Sequence, residues 1–193
     1  EDALRVSSNT FFYQIGYGVG VDEIYNVSKK FGFAALSGIE ISEQENIGLV
    51  ASSQWAKQGR GWGKPGSTPW VPEDIASMSI GQSVVQVTPM QIARAYAVIA
   101  NGGYLVKPYL TKTADQQVSN QKRIKIDIDP NNLQLVKNGL RKVVESGTGV
   151  AIDDGISNLP PVSGKTGTAE DFGEVRGSDH AWFVCFTPSD KSE

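Results

Sequence analysis

Apolar positions divide this chain into helical and extended stretches, separated by breaks rich in glycine and proline. Thr10 to about Gly18 and Val21 to Phe31 read as two short helices, with Gly32 suited to a left-handed C-terminal cap. In the second, Val21, Ile24, Tyr25, Val27, Ser28 and Phe31 form a mostly apolar face at roughly helical spacing, the stripe a surface helix turns to its core. Periodicity dissolves from Glu43 to Trp70, where Gly59, Gly61, Gly63, Pro65, Gly66 and Pro69 interrupt Trp55, Trp62, Trp70 and Lys57, Arg60, Lys64. Basic and aromatic residues in alternation could grip single-stranded nucleic acid by stacking. A long surface loop that flanks a cleft and lays its tryptophans on the domain body is the better reading.

Thr88-Pro89-Met90-Gln91 supplies an N-cap, proline at the first helical position and glutamine three residues after the cap. Ile92, Ala93, Tyr96, Ala97, Ile99 and Ala100 then make a helix so apolar that it must be buried, ended by Asn101-Gly102-Gly103. It is a poor DNA-recognition helix, with only Gln91 and Arg94 to offer. Tyr104 to Thr113 and Lys122 to Ile128 alternate like short strands. Asp129-Pro130 opens a helix through Leu133, Val136, Leu140, Val143 and Val144 to Gly147. Pro161 to Ala169 and Asp179 to Thr187 read as two strands of an antiparallel hairpin, joined by the polar turn Glu170 to Ser178. The predicted class is mixed α/β of the α+β kind, an antiparallel sheet flanked by helices, with no internal repeat.

At 193 residues, with 39% apolar and 20% charged positions, the chain suits a globular domain or a large piece of one. A net charge of −3 and the lack of a basic stripe argue against nucleic acid as partner. Cys185 is alone and His180 is the one histidine, so neither a disulfide framework nor a metal cluster of Cys and His is expected. No cofactor is implied. Glu1-Asp2-Ala3-Leu4 carries no initiator methionine or signal peptide, and the chain has no apolar run long enough for a bilayer. Both ends look cut, and the expectation is a fragment.

The run Lys165-Thr166-Gly167-Thr168 carries the chemistry. Gly164-Lys165-Thr166 matches the end of a phosphate-binding loop, but that motif needs glycine where Leu159 stands, and Pro160-Pro161 spoil the loop. As a strand, the run puts the hydroxyls of Thr166 and Thr168 on one side, and Gly167 between them lets a ligand backbone approach. Such an edge can bind an extended peptide while Lys165 supplies positive charge. The bland alternative is a lysine that protects an exposed edge. Ser7-Ser8-Asn9 alone is most simply a helix N-cap, with Asn9 or Thr10 as the cap.

In order and in company, the two motifs say more. Ser-x-x-Lys, Ser-x-Asn and Lys-Thr-Gly mark penicillin-binding proteins and serine β-lactamases, and the second and third are present here in that order. The chain resembles a class B penicillin-binding protein of the elongation type. Similar stretches include Ser7 to Gln14, Met78-Ser79-Ile80-Gly81-Gln82, Gln86 to Gln91, Ala100 to Gly103, Gly164 to Ala169 and His180 to Val184. The resemblance implies residues 1–193 of a penicillin-binding transpeptidase-like domain that lacks the upstream Ser-x-x-Lys segment and the last strand and helix. It also implies an acyl-serine enzyme that cross-links peptidoglycan stem peptides and binds β-lactams.

Carried over by residue, Ser7 would relay the proton to the leaving amine and Asn9 would hydrogen-bond the substrate amide. Lys165 would order Ser7 and supply positive potential. Thr166 and Thr168 would bind the terminal carboxylate beside Gly167, and the Thr168 N–H would form one arm of an oxyanion hole. Implied partners are stem peptides, β-lactams and the cell-wall elongation machinery. The implied location is the extracytoplasmic face of the bacterial cytoplasmic membrane, reached through an anchor outside this chain. A sensor without a nucleophile, and a D,D-carboxypeptidase or β-lactamase of the same fold, are the alternatives.

The match Ser119-Asn120-Gln121-Lys122 follows the Ser-x-Asn motif instead of preceding it, and its polar, turn-like setting marks it as chance. The nucleophile is expected upstream of Glu1. Cys185, where the family commonly has glycine, is expected to be a buried, inert thiol. His180 is expected to be structural, in the strand beside the one that carries Lys165.

Overall fold

The computed structural model describes residues 1–58, 70–111, 123–152, 160–169 and 179–189. Its helices are α1 (Asp2–Arg5), α2 (Asn9–Val19), α3 (Val21–Lys30), α4 (Ser53–Lys57), α5 (Pro72–Ser79), α6 (Pro89–Ala100) and α7 (Pro130–Ser146). The strands are β1 (Leu49–Val50), β2 (Val85–Gln86), β3 (Tyr104–Leu105), β4 (Ile124–Lys125), β5 (Ser163–Ala169) and β6 (His180–Phe186). Among the described residues all pairing is antiparallel, in three ladders: β1 with β2, β3 with β4, β5 with β6. The mixed class holds, with antiparallel ladders and helices as expected.

The described residues form two compact units. One unit runs from Asn9 to Ile92 and includes Pro108–Leu110. Its core is Val21, Val50, Ala51, Met78 and Val84, with Ile24, Tyr25, Phe33, Trp55, Trp70 and Ile75 packed around it. The stripe on α3 is narrower than its composition suggests. Val21 is buried while Val27 is 45% exposed, because position 27 lies off the i, i+3, i+4, i+7 face. Phe31 caps this helix and Gly32 follows in the left-handed region, φ +87°.

The stretch read as loop from Glu43 to Trp70 is partly structured. It contains a single 3₁₀ turn at Ser42–Gln44, strand β1, and helix α4, whose N-cap Ser52 accepts from the Trp55 N–H at 3.1 Å. Trp55 and Trp70 are half-buried against the core, whereas Trp62, Arg60 and Lys64 lie outside the described residues. Helix α5 was not anticipated. Its signals were local: Pro72 at the first position, and Asp74, which accepts the Val71 N–H at 3.3 Å.

Gln91 is the polar centre of this unit and is 1% exposed. Its Oε1 accepts the Thr88 N–H at 3.0 Å while its own N–H donates to Thr88 Oγ1 at 3.2 Å, the expected capping box. Its Nε2 also donates to the carbonyls of Ala35 and Ile47, both at 2.9 Å. A residue chosen for helix capping therefore also binds two loop carbonyls.

The other unit comprises Glu1–Ser8, Ala93–Lys107 and the described residues from Thr111 onward. Here α6 is buried as expected, with Val98 fully enclosed and burial pushing the Tyr96 phenol up to about 12. The strands after it are shorter than their alternation suggests. Among the described residues pairing covers only Tyr104–Leu105 and Ile124–Lys125, and Pro108 has no N–H with which to continue a ladder. Residues 112–122, including Ser119, lie outside the described residues.

Helix α7 starts where the sequence places it. Asp129 Oδ1 accepts the Asn131 N–H at 2.7 Å, Pro130 takes the first position, and Leu133, Leu140, Val143 and Val144 are buried. Two glycines let α1 lie against it. A Cβ on Gly139 would come within 2.6 Å of Leu4 Cδ1, and one on Gly147 within 2.3 Å of the Arg5 carbonyl oxygen. Lys142 Nζ holds Glu1 at 2.7 Å, and the Thr148 N–H donates to the Arg5 carbonyl at 3.2 Å. We expect Gly147→Ala to destabilise the protein by about 2–3 kcal/mol, because the obstructing atoms are backbone and cannot swing away. Urea denaturation measures this, and a loss under about 0.5 kcal/mol would show that α1 can lift off freely.

Candidate active site

Ser7 owes its position to the way α1 ends. The Ser8 N–H donates to the Ala3 carbonyl at 2.9 Å and the Ser7 N–H to the Leu4 carbonyl at 3.1 Å. This is the double hydrogen bond of a Schellman motif around Val6, the C-cap. The motif requires its next residue to be left-handed, and Ser7 has φ +54°. A serine thus occupies a position that favours glycine, at a strain of roughly 1–2 kcal/mol. The side chain is exposed and its Oγ accepts from Lys165 Nζ at 2.8 Å.

Lys165 comes from the middle of β5. The register pairs it with Val184 and pairs Thr166 with Phe183, Gly167 with Trp182 and Thr168 with Ala181. Paired residues share a face, so Thr166 and Thr168 lie on one side of the hairpin and Lys165 on the other, as the alternation predicts. Helix α7 packs against β5, and Arg141 Nη1 donates to the Val162 carbonyl at 2.8 Å. Strand β6 fits tightly on the other flank: a Cβ on Gly164 would sit 2.7 Å from the Val184 carbonyl oxygen and 2.8 Å from Phe183 Cζ. The buried hydroxyls of Ser163 and Ser189 hydrogen-bond to one another. Among the described residues, the remaining edge of β5 has no strand partner.

Besides Ser7, Lys165 Nζ donates to the Thr166 carbonyl at 2.8 Å. Partial burial holds its pKa below the ordinary lysine value. An ammonium placed this way surrenders a proton more readily than a solvated one, and its donors are aimed at a hydroxyl. On the face away from Lys165, Thr166 Oγ1 lies 2.7 Å from Thr148 Oγ1. Thr168 and Gly167 are exposed.

The structure therefore brings the Ser7 hydroxyl, the Lys165 ammonium and the Thr166 carbonyl to one place, with the Thr166 hydroxyl on the other face of β5. Asn9 stands two residues after Ser7 as the exposed first residue of α2. No group of three or more His, Cys, Asp or Glu side chains suited to a metal occurs among the described residues. Cys185 corrects an expectation: it is exposed, not buried, because it pairs with Gly164 on the outward face that also carries Phe183, itself 38% exposed. His180 lies in the strand beside β5, opposite Ala169 at the end of the ladder. Sequence reasoning missed Arg5, Gly139 and Thr148. The available hint was the spacing Gly147-Thr148-Gly149 past a helix end, read there only as a stop.

Residues 1–193 match the family model described as the penicillin-binding protein transpeptidase domain. This chain belongs to the penicillin-binding transpeptidase family. Similar to it is the peptidoglycan D,D-transpeptidase MrdA of Haemophilus influenzae, 31% identical over 97% of this chain and 31% of that protein. MrdA of Acinetobacter baumannii is 30% identical, over 99% of this chain and 30% of that protein. Among solved structures, Pseudomonas aeruginosa PBP2 in complex with WCK 5153 gives a TM-score of 0.81 at 30% identity, covering 99% of this chain and 41% of that one. The PBP2 of a complex with MreC from Helicobacter pylori gives 0.76 at 26% identity, over 98% of this chain and 33% of that one. This penicillin-binding transpeptidase chain thus spans about a third of the length of the curated relatives.

Proposed function

We propose that this chain forms the proton-relay and substrate-binding part of a serine D,D-transpeptidase that cross-links peptidoglycan stem peptides, with β-lactams acylating the same serine. The observation that carries the reading is the 2.8 Å hydrogen bond from Lys165 Nζ to Ser7 Oγ. Acylation breaks the bond between the penultimate carbonyl carbon and the terminal amine, so that amine must gain a proton as it leaves. Ser7 can give its hydroxyl proton while Lys165 replaces it, a step helped by the partial burial that already disfavours the ammonium.

Asn9 holds the substrate amide in this scheme. Thr166 and Thr168 take the terminal carboxylate on one face of β5, and Gly167 leaves space for the substrate backbone. The Thr168 N–H is one donor to the oxyanion. The acyl-accepting serine comes from a Ser-x-x-Lys motif outside residues 1–193. Similar proteins occur in solved complexes, PBP2 with MreC and a peptidoglycan synthase complex, which supports cell-wall synthesis proteins as partners. A periplasmic placement is part of this proposal; among the described residues no helix is long and apolar enough to cross a membrane.

Labelling with a fluorescent penicillin and mapping the modified peptide tests the proposal. The complete protein is expected to be acylated once, at a serine outside these residues, and the isolated chain not at all. Rapid release of penicilloate would replace the transpeptidase reading with a β-lactamase. Labelling at Ser119 would overturn the motif order used here.

A further inference from the structure

We infer that Thr148, at the end of α7, is a positioning residue that turns the Thr166 hydroxyl toward the substrate carboxylate; this rests on the function proposed above. The two Oγ1 atoms are 2.7 Å apart. A threonine hydroxyl has one proton to donate and two lone pairs to accept with, so one member of the pair donates and the other accepts. With Thr148 as donor, the Thr166 proton is left free to point at an anion. A carboxylate only accepts, so it selects that arrangement.

Two further contacts hold Thr148 where this pairing is possible. Its N–H donates to the Arg5 carbonyl at 3.2 Å, and the Gly149 N–H donates to the Val143 carbonyl at 2.9 Å. Gly147 lets the turn press onto α1, since a side chain there would meet the Arg5 carbonyl oxygen at 2.3 Å. Arg5 Nη1 returns a bond to the Ser146 carbonyl at 3.4 Å. Arg5 ends α1, two residues before Ser7. The one turn therefore touches the helix end that presents Ser7 and the β5 residue that follows Lys165.

The test compares acylation rates of the complete protein by benzylpenicillin and by its methyl ester, which lacks the anionic carboxylate. Thr148→Val should slow the free acid about threefold to tenfold, the worth of one partly solvated hydrogen bond, and leave the ester within about twofold. The preference for free acid over ester then falls by the same factor. Thr148→Ala, which lacks the hydroxyl without the branched bulk, should reproduce the change, and Thr148→Ser should restore the original ratio. Equal losses with both compounds, no loss with either, or a Thr148→Ser variant as impaired as Thr148→Val would each overturn the inference. Failure of the free acid to acylate the unsubstituted protein would overturn the proposed function and this inference together. Normal acylation with an unchanged ratio in the variants would sink this inference alone.

Discussion

Replacing Ser7 by glycine is expected to abolish most activity while leaving a protein more stable than its alanine counterpart. Both Ser7→Gly and Ser7→Ala remove the hydroxyl that accepts from Lys165, so each should lower the rate of β-lactam acylation at least about a hundredfold. They differ in the backbone. Ser7 has φ +54° at the left-handed position of a Schellman motif, a conformation that costs an L-residue roughly 1–2 kcal/mol and glycine almost nothing. Glycine gives back about 0.5–1 kcal/mol through the entropy of the unfolded chain. The net expectation is a Ser7→Gly variant about 0.5–1 kcal/mol more stable than Ser7→Ala. Thermal melts of the two variants, with acylation followed by stopped flow, supply both numbers. A Ser7→Ala protein that melts higher than Ser7→Gly would show that the left-handed turn is not held under strain. Full activity in either variant would remove Ser7 from the chemistry.

Lys165→Met should reduce acylation about a thousandfold, the scale seen when a donor aimed at developing charge is removed, without loss of stability near neutral pH. The stability expectation comes from the direction of the pKa shift. Partial burial holds Lys165 below the ordinary lysine value of 10.5, so the folded protein binds this proton less tightly than the unfolded chain does. Between the two values unfolding takes up a proton, and stability rises with pH across that window. Below it, the penalty for burying the ammonium is fully present; above 10.5 it is gone. Methionine carries no such penalty. Any stability advantage of Lys165→Met over the parent should therefore be greatest at neutral pH and shrink as pH approaches 10.5. Melting temperatures of both proteins from pH 7 to about 10.5 check this. A parent protein that gains on the variant as pH falls would mean that the charged lysine is stabilised by partners stronger than Ser7 and the Thr166 carbonyl.

Several elements were readable because their causes are local. The capping box of Thr88 and Gln91, the Asp129-Pro130 start of α7, and the alternation from Ser163 to Ala169 each depend on residues within a few positions of one another. Other local signals were present and overlooked. Pro72 with Asp74 opens α5, and Ser52 caps α4, inside a region whose glycines and prolines suggested loop throughout. Val27 and Cys185 went wrong for a different reason. Composition suggests burial for both, but burial depends on which face of an element meets a neighbour, and both lie on outward faces.

The sequence by itself determined the kind of site. Lysine, threonine and glycine in that order on a strand, preceded far upstream by Ser7-Ser8-Asn9, specify a cation, two hydroxyls on one face and a gap for a substrate backbone, because side-chain alternation along a strand is a local property. Only the tertiary structure decided that Lys165 reaches Ser7 and that Thr148 meets Thr166. Those facts depend on α1 lying close to α7 over Gly139 and Gly147. Such an approach requires space at residues more than a hundred positions along the chain from Leu4 and Arg5, and no pattern of neighbouring residues encodes it.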